Sequence, residues 1–159
     1  MTVQEYIAGQ TERTAGFLAH FIATTPTDKQ QWQPQMEGSA PTRSALEQAE
    51  ECVTVNRRIA ALLRGETPPA PGPGASSFTI TTAEEAKTLL AESAVEVSAA
   101  IRALNEEGMA KTYVLPRGEF VGENLIMLPL RNMIYHMGQV NLIQMLCGDP
   151  EFHLPPNWR

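Results

Sequence analysis

Three polar residues near the end of the sequence, Asn132, His136 and Gln139, are spaced by four and three positions. Residues at this spacing lie on one face of a helix, and apolar side chains surround the three. We therefore expect this face to lie at least partly inside the protein, where polar side chains need partners. An earlier helical segment offers carboxylates for that role at Glu47, Glu50 and Glu51.

Contact between Glu51 and His136 would allow two kinds of chemistry. In the first, a hydrogen-bonded carboxylate and imidazole fix the packing of two helices. In the second, Glu51, His136 and the side-chain oxygen of Asn132 bind a divalent metal ion and leave positions open for water or substrate. The residue types alone favour the structural pair, because Asn is a poor ligand beside His, Asp or Cys.

Two helices are predicted in the first 65 residues from apolar side chains at helical spacing. The first ends at Thr25-Pro26, because a proline disfavours helix for the residue before it. The second begins around Thr42 and Ser44, since Ser44 and Glu47 have the spacing of a capping box, and it ends where Gly65 can supply a left-handed cap.

Two more helices are predicted in the second half of the chain. Thr82 and Glu85 form another capping-box pattern, and the helix that follows is expected to end near Gly108. The fourth helix is expected over Leu125 to Cys147, and Pro129 either opens it or kinks it.

The connections complete the predicted architecture. Residues 27–41 form a polar loop, in which Trp32 is expected to fold back over the core. Residues 66–74 are rich in proline and glycine, and we interpret them as an extended crossing loop rather than a domain boundary, because roughly 60 residues would make a marginal domain. Residues 111–122 indicate a connection with one extended turn. The sequence thus predicts one all-α domain over residues 1–159, a four-helix bundle with long loops between helices 1 and 2 and between helices 2 and 3.

Composition and charge exclude several classes of protein. The chain has 43% hydrophobic and 19% charged residues, as an ordinary globular protein does, and no apolar run long enough to span a membrane. Its net charge is −6 and its basic residues are scattered, so we expect no nucleic acid partner. The N-terminus lacks the pattern of a secretory signal, which predicts a cytoplasmic location. Cys52 and Cys147 are interpreted as small buried residues rather than a disulfide.

One family has a similar set of motifs. The run from Asn132 to Val140, Asn-Met-Ile-Tyr-His-Met-Gly-Gln-Val, is followed by Leu-Cys-Gly-Asp at 146–149. Upstream lie Trp-Gln-Pro at 32–34, Arg-Ser-Ala-Leu at 43–46 and Leu-Leu-Arg-Gly at 62–65. With these motifs the sequence resembles the DinB-like superfamily, four-helix bundles that include YfiT-like proteins and thiol-dependent S-transferases. The resemblance covers nearly the whole chain and implies a homodimer.

The resemblance also implies a metal site. Family members commonly bind zinc or nickel through three histidines, one on the second helix and two on the fourth. Carried over position by position, one of these histidines is His136, while Asn132 and Glu51 stand at the other two positions. The implied site is therefore altered or vestigial, and its carboxylate and amide would suit a harder ion better than zinc or nickel.

Two functions follow as expectations, and the resemblance makes the first the leading one. One is a metal-dependent transferase or hydrolase acting on an unknown small molecule, with the ion activating a thiol or water. In that case His136 would be a ligand or general base, Glu51 a second ligand or base, and Asn132 an orienting group. The other is a non-catalytic binding or scaffold homodimer, in which Glu51 and His136 serve as each other's hydrogen-bond partner.

Overall fold

A computed structural model of the protein describes residues 1–35, 37–38, 40–68, 78–115, 118–156 and 158. Over these residues the elements, in chain order, are α1 (Val3–Thr24), a 3₁₀ turn (Thr27–Lys29), α2 (Ala45–Leu63), α3 (Ala83–Arg102), α4 (Glu106–Ala110), β1 (Thr112–Leu115), β2 (Gly118–Val121), α5 (Gly122–Leu125) and α6 (Leu128–Leu146). The four long helices confirm the predicted all-α bundle.

The packing of the long helices decides which faces meet. Both α1 and α2 pack along α3 and along α6, whereas α1 and α2 have few contacts with each other. Helices α1 and α2 therefore lie on one diagonal of the bundle, and α3 and α6 lie on the other. This arrangement makes α2 and α6 neighbours, so that side chains on their facing sides can interact.

The start of α2 is fixed by the predicted capping box. The Ser44 hydroxyl accepts a hydrogen bond from the Glu47 backbone N–H at 3.2 Å, and the Glu47 carboxylate accepts one from the Ser44 backbone N–H at 2.7 Å. At the other end, Gly65 has a φ of 76°, the left-handed conformation that stops the helix. Both ends of α2 thus agree with the prediction.

The end of α3 differs from the prediction, and the start of α6 decides between the two alternatives left open for Pro129. Helix α3 ends at Arg102 instead of near Gly108, because the Asn105 side chain accepts from the Gly108 backbone N–H and starts the separate helix α4. Pro129 lies in the first turn of α6, where a backbone N–H has no intrahelical acceptor, so the N–H that proline lacks costs no hydrogen bond. Pro129 therefore opens α6 and does not kink it.

The connection before α6 contains a small antiparallel hairpin. Strands β1 and β2 pair with Thr112 opposite Val121 and Leu115 opposite Gly118. The residues between them, 116–117, and residues 69–74 of the segment interpreted as a crossing loop lie outside the described residues. Trp32, expected to cover the core, is 37% exposed. Most of its surface is therefore covered by the rest of the protein, and its place over the core stays a prediction.

The core consists of two apolar clusters along the bundle. The first lies between the long helices and includes Leu18, Val53, Leu90 and Val140. The second is next to the hairpin and α5 and includes Ile59, Ile101, Leu125 and Ile126. No helix in the described part of the chain has the length and apolar character needed to cross a membrane.

Candidate functional site

The structure brings Glu51 of α2 and His136 of α6 together. Oε1 of Glu51 lies 3.5 Å from Nε2 of His136. The His136 side chain is 2% exposed, whereas the Glu51 side chain is 28% exposed. The carboxylate therefore reaches from the surface toward an imidazole that is almost wholly inside the bundle.

Two glutamines hold the other nitrogen of His136. Nδ1 is within hydrogen-bond distance of Oε1 of the buried Gln48 on α2, and it lies 2.7 Å from Oε1 of Gln139 on α6. Because both partners are amide oxygens, Nδ1 carries a proton and donates it. The other ring nitrogen, Nε2, makes no hydrogen bond to any described residue. It can donate to Glu51 only when the ring carries a proton on both nitrogens.

Arg43 contacts the second oxygen of Glu51. Its guanidinium Nη1 forms a close ion pair with Oε2 of Glu51 just before the N-cap of α2. The carboxylate is thus shared between a partly exposed arginine and a buried histidine. The positive charge of Arg43 offsets the negative charge of Glu51 at this position.

Asn132 lies one turn before His136 and contacts a thiol. Its Nδ2 is 3.5 Å from Sγ of Cys52, which is fully buried. Burial, and then the charge of Glu51, raise the pKa of the Cys52 thiol well above its usual value. Cys52 is therefore a neutral packing residue, as expected, and the amide of Asn132 faces that residue.

The sequence reasoning missed two members of this cluster, Gln48 and Arg43. Gln48 precedes Glu51 by three positions, so it shares a helix face with Glu51 and could have been found by extending the same spacing rule. Arg43 lies outside α2, and no spacing rule connects a residue before the N-cap with Glu51. Its ion pair becomes visible only in the folded chain.

The donors present do not fit a resident metal of the kind that the resemblance implies. Two ligands bound at 2.0–2.2 Å to one tetrahedral ion would lie about 3.4 Å apart, so Nε2 and Oε1 alone have a suitable separation. Catalytic zinc sites take three protein ligands, however. Among the described residues no group of three or more His, Cys, Asp and Glu is placed to hold a metal ion. Arg43 also places its positive charge beside the Glu51 carboxylate, where a metal cation would have to bind.

The comparisons with known proteins agree with the fold. A family model described as the DinB superfamily matches residues 10–140, which include most of α1 and extend into α6. The matched part contains Glu51, Asn132 and His136. Among curated proteins, none matches the chain. Because the family model covers more than half of the 159 residues, the chain belongs to the DinB superfamily.

Proposed function

We propose that this protein is a non-catalytic binding or scaffold homodimer, in which Glu51 and His136 form a structural pair that ties α2 to α6. The observation that carries the proposal is the engagement of the Glu51 carboxylate by Arg43 on one oxygen and by His136 near the other. Arg43 thereby compensates the charge of the Glu51 carboxylate, which lies at the edge of the buried imidazole. A cytoplasmic location, expected from the sequence, is part of this proposal.

A row of polar contacts along α2 supports a packing role. Gln48, Cys52 and Asn56 are four residues apart and buried, so they form one row on the inner side of α2, where it meets α6 and α3. Gln48 bonds to His136 and Cys52 contacts Asn132, both on α6. Asn56 Nδ2 donates to Ser93 Oγ on α3 at 3.1 Å and also lies 3.9 Å from Sδ of Met133 on α6. Polar contacts at fixed spacing favour one register between two helices over others, because a shifted register would leave polar groups without partners.

A metal-dependent transferase or hydrolase is the second candidate function. It is favoured by Nε2 of His136, a buried nitrogen that makes no hydrogen bond to a described residue and lies 3.5 Å from a carboxylate oxygen. Such an activity would use zinc, nickel or a harder ion and an unidentified small-molecule substrate. It is the weaker of the two proposals because no third His, Cys, Asp or Glu among the described residues is placed beside Nε2 and Oε1, and because Arg43 already pairs with the carboxylate.

Metal analysis distinguishes the two functions. We expect untagged protein, purified without chelators, to contain well under one ion per chain. After incubation with zinc, nickel or manganese, its unfolding midpoint should stay unchanged, because an ion that binds only the folded state would raise it. The same measurements on His136→Leu serve as the control for binding elsewhere. A stoichiometric ion that stabilises the wild type and is lost in His136→Leu would overturn the structural proposal.

A further inference from the structure

The side of α6 that faces away from the bundle is apolar and exposed. Tyr135 is 64% exposed and Met145 is 59% exposed, and the other large side chains of this side are half exposed. At 100° per residue these positions fall within about 120° of the helix, and they extend about 18 Å along it. We call this surface the α6 outer face; it comprises Ile134, Tyr135, Gly138, Leu142, Met145 and Leu146.

The α6 outer face carries no formal charge. Between Arg131 and Asp149 the sequence contains no Asp, Glu, Lys or Arg, although the whole chain has a net charge of −6. Two copies of an acidic chain repel each other through most of their surfaces. A charge-free face is where two such copies can meet without placing like charges in contact.

The residues of this surface are also symmetric about position 140. Arg131 and Asp149 are equally distant from that position, as are Ile134 and Leu146, Tyr135 and Met145, and Gly138 and Leu142. In an antiparallel contact between two identical helices, each member of such a pair lies opposite the other member in the partner. The helical positions would then pair apolar side chains with one another. Asp149, just past the C-terminal end of α6 and after the left-handed Gly148, would come near the partner's Arg131.

We infer that a second copy of this chain docks antiparallel on the α6 outer face, with the two-fold axis near position 140. This inference rests on the homodimer of the proposed function and names its interface. The contact is self-complementary, as a two-fold interface must be. Arg131 of one copy lies beside the partner's Asp149, and Leu142 packs over the partner's Gly138.

Gly138 and Asp149 are suited to these roles. A Cβ added at Gly138 would have no heavy atom within 4 Å, so the surface there is open to an approaching side chain. Asp149 accepts a hydrogen bond from Nε2 of His153 at 2.7 Å. That bond holds the pKa of the Asp149 carboxyl below its usual range, so Asp149 is negatively charged at neutral pH.

Sedimentation analysis over a concentration series tests the interface. We expect the wild type to reach twice the mass of one chain, and Leu142→Glu to raise the dissociation constant by at least about tenfold, because it buries a charge at the centre of the contact. Val95→Glu is the matched control, since Val95 is a similarly exposed apolar residue on α3, and it should leave the dissociation constant unchanged. Leu142→Glu should also keep the helical circular dichroism of the wild type.

A charge reversal tests the antiparallel direction. Arg131→Glu would place a carboxylate beside the partner's Asp149, so association should weaken, and the effect should shrink at high salt. In a parallel contact residue 131 would face residue 131 of the partner, and the charge reversal would change the dissociation constant little. A wild-type dimer that Leu142→Glu leaves intact would overturn the α6 interface while leaving the homodimer standing. A wild type that stays monomeric at all concentrations would overturn both.

Discussion

At the scale of single residues, His136 is the member of the cluster whose surroundings the sequence predicted most closely. Its burial and its position opposite a carboxylate could be anticipated from the spacing of Asn132, His136 and Gln139 and the acidic residues of the second helix. The role of Asn132 as a ligand or orienting group stays a prediction, and the structure places its Nδ2 3.5 Å from Sγ of Cys52. Arg43 could not be anticipated, since an ion pair with a residue outside the helix depends on the path of the loop.

Replacing Gln48 tests the network around His136. Gln48→Leu removes one of the two acceptors of Nδ1–H while keeping a side chain of similar size. We expect a loss of about 1 kcal/mol in the free energy of unfolding, the usual net value of a buried hydrogen bond, measured by urea denaturation. Gln35→Leu, at an exposed loop position, is the control and should change the value by less than about 0.5 kcal/mol. Equal effects of the two substitutions would contradict the assigned contact.

At the scale of the elements, the helix starts were the most predictable feature of the chain. A capping box is a contact between residues three apart, so Ser44 with Glu47 and Thr82 with Glu85 could be found without knowing the fold. The end of α3 was wrong because Asn105, another capping residue, was not weighed. The hairpin was described only as a connection with one extended turn, because strands of four residues give too short a pattern to recognise.

The capping box of α2 should make stability depend on pH. Burial raises the pKa of the Glu47 carboxyl. Hydrogen bonds from the Ser44 backbone, Gln33 and the Ser44 hydroxyl, together with the charge of Arg43, lower it by more than burial raises it, so the pKa of Glu47 is below its usual value. An acid with a lowered pKa in the folded state stabilises the protein above its unfolded pKa, about 4.3 for Glu. That contribution disappears as the pH falls through the folded pKa.

We therefore expect Glu47→Gln to lower the free energy of unfolding at pH 7 and to flatten its decline below about pH 4. The measurement is chemical denaturation between pH 7 and pH 3. Glu37→Gln, at an exposed loop position, should keep the wild-type pH profile. An unchanged profile for Glu47→Gln would show that the carboxylate gains nothing from folding.

At the scale of the whole molecule, the class of fold could be predicted but the helix order could not. Four amphipathic segments indicate a bundle, whereas the placement of α1 diagonally to α2 depends on long connections that carry no local signal. This placement is what makes α2 and α6 neighbours. The meeting of Glu51 and His136 is thus a consequence of topology, and the proposed function depends on whether that meeting stabilises the bundle.

A double-mutant cycle between Glu51→Gln and His136→Leu measures directly how much the contact between these two residues stabilises the bundle. Unfolding free energies should be determined for the wild type, both single variants and the double variant at one chain concentration, with a chelator present so that no metal contributes. The cycle of His136→Leu with Glu92→Gln, at an exposed position on α3, is the control and should be additive. We predict a coupling energy of about 0.5–3 kcal/mol between Glu51 and His136. Additivity of these two substitutions in the presence of the chelator would contradict the structural pair.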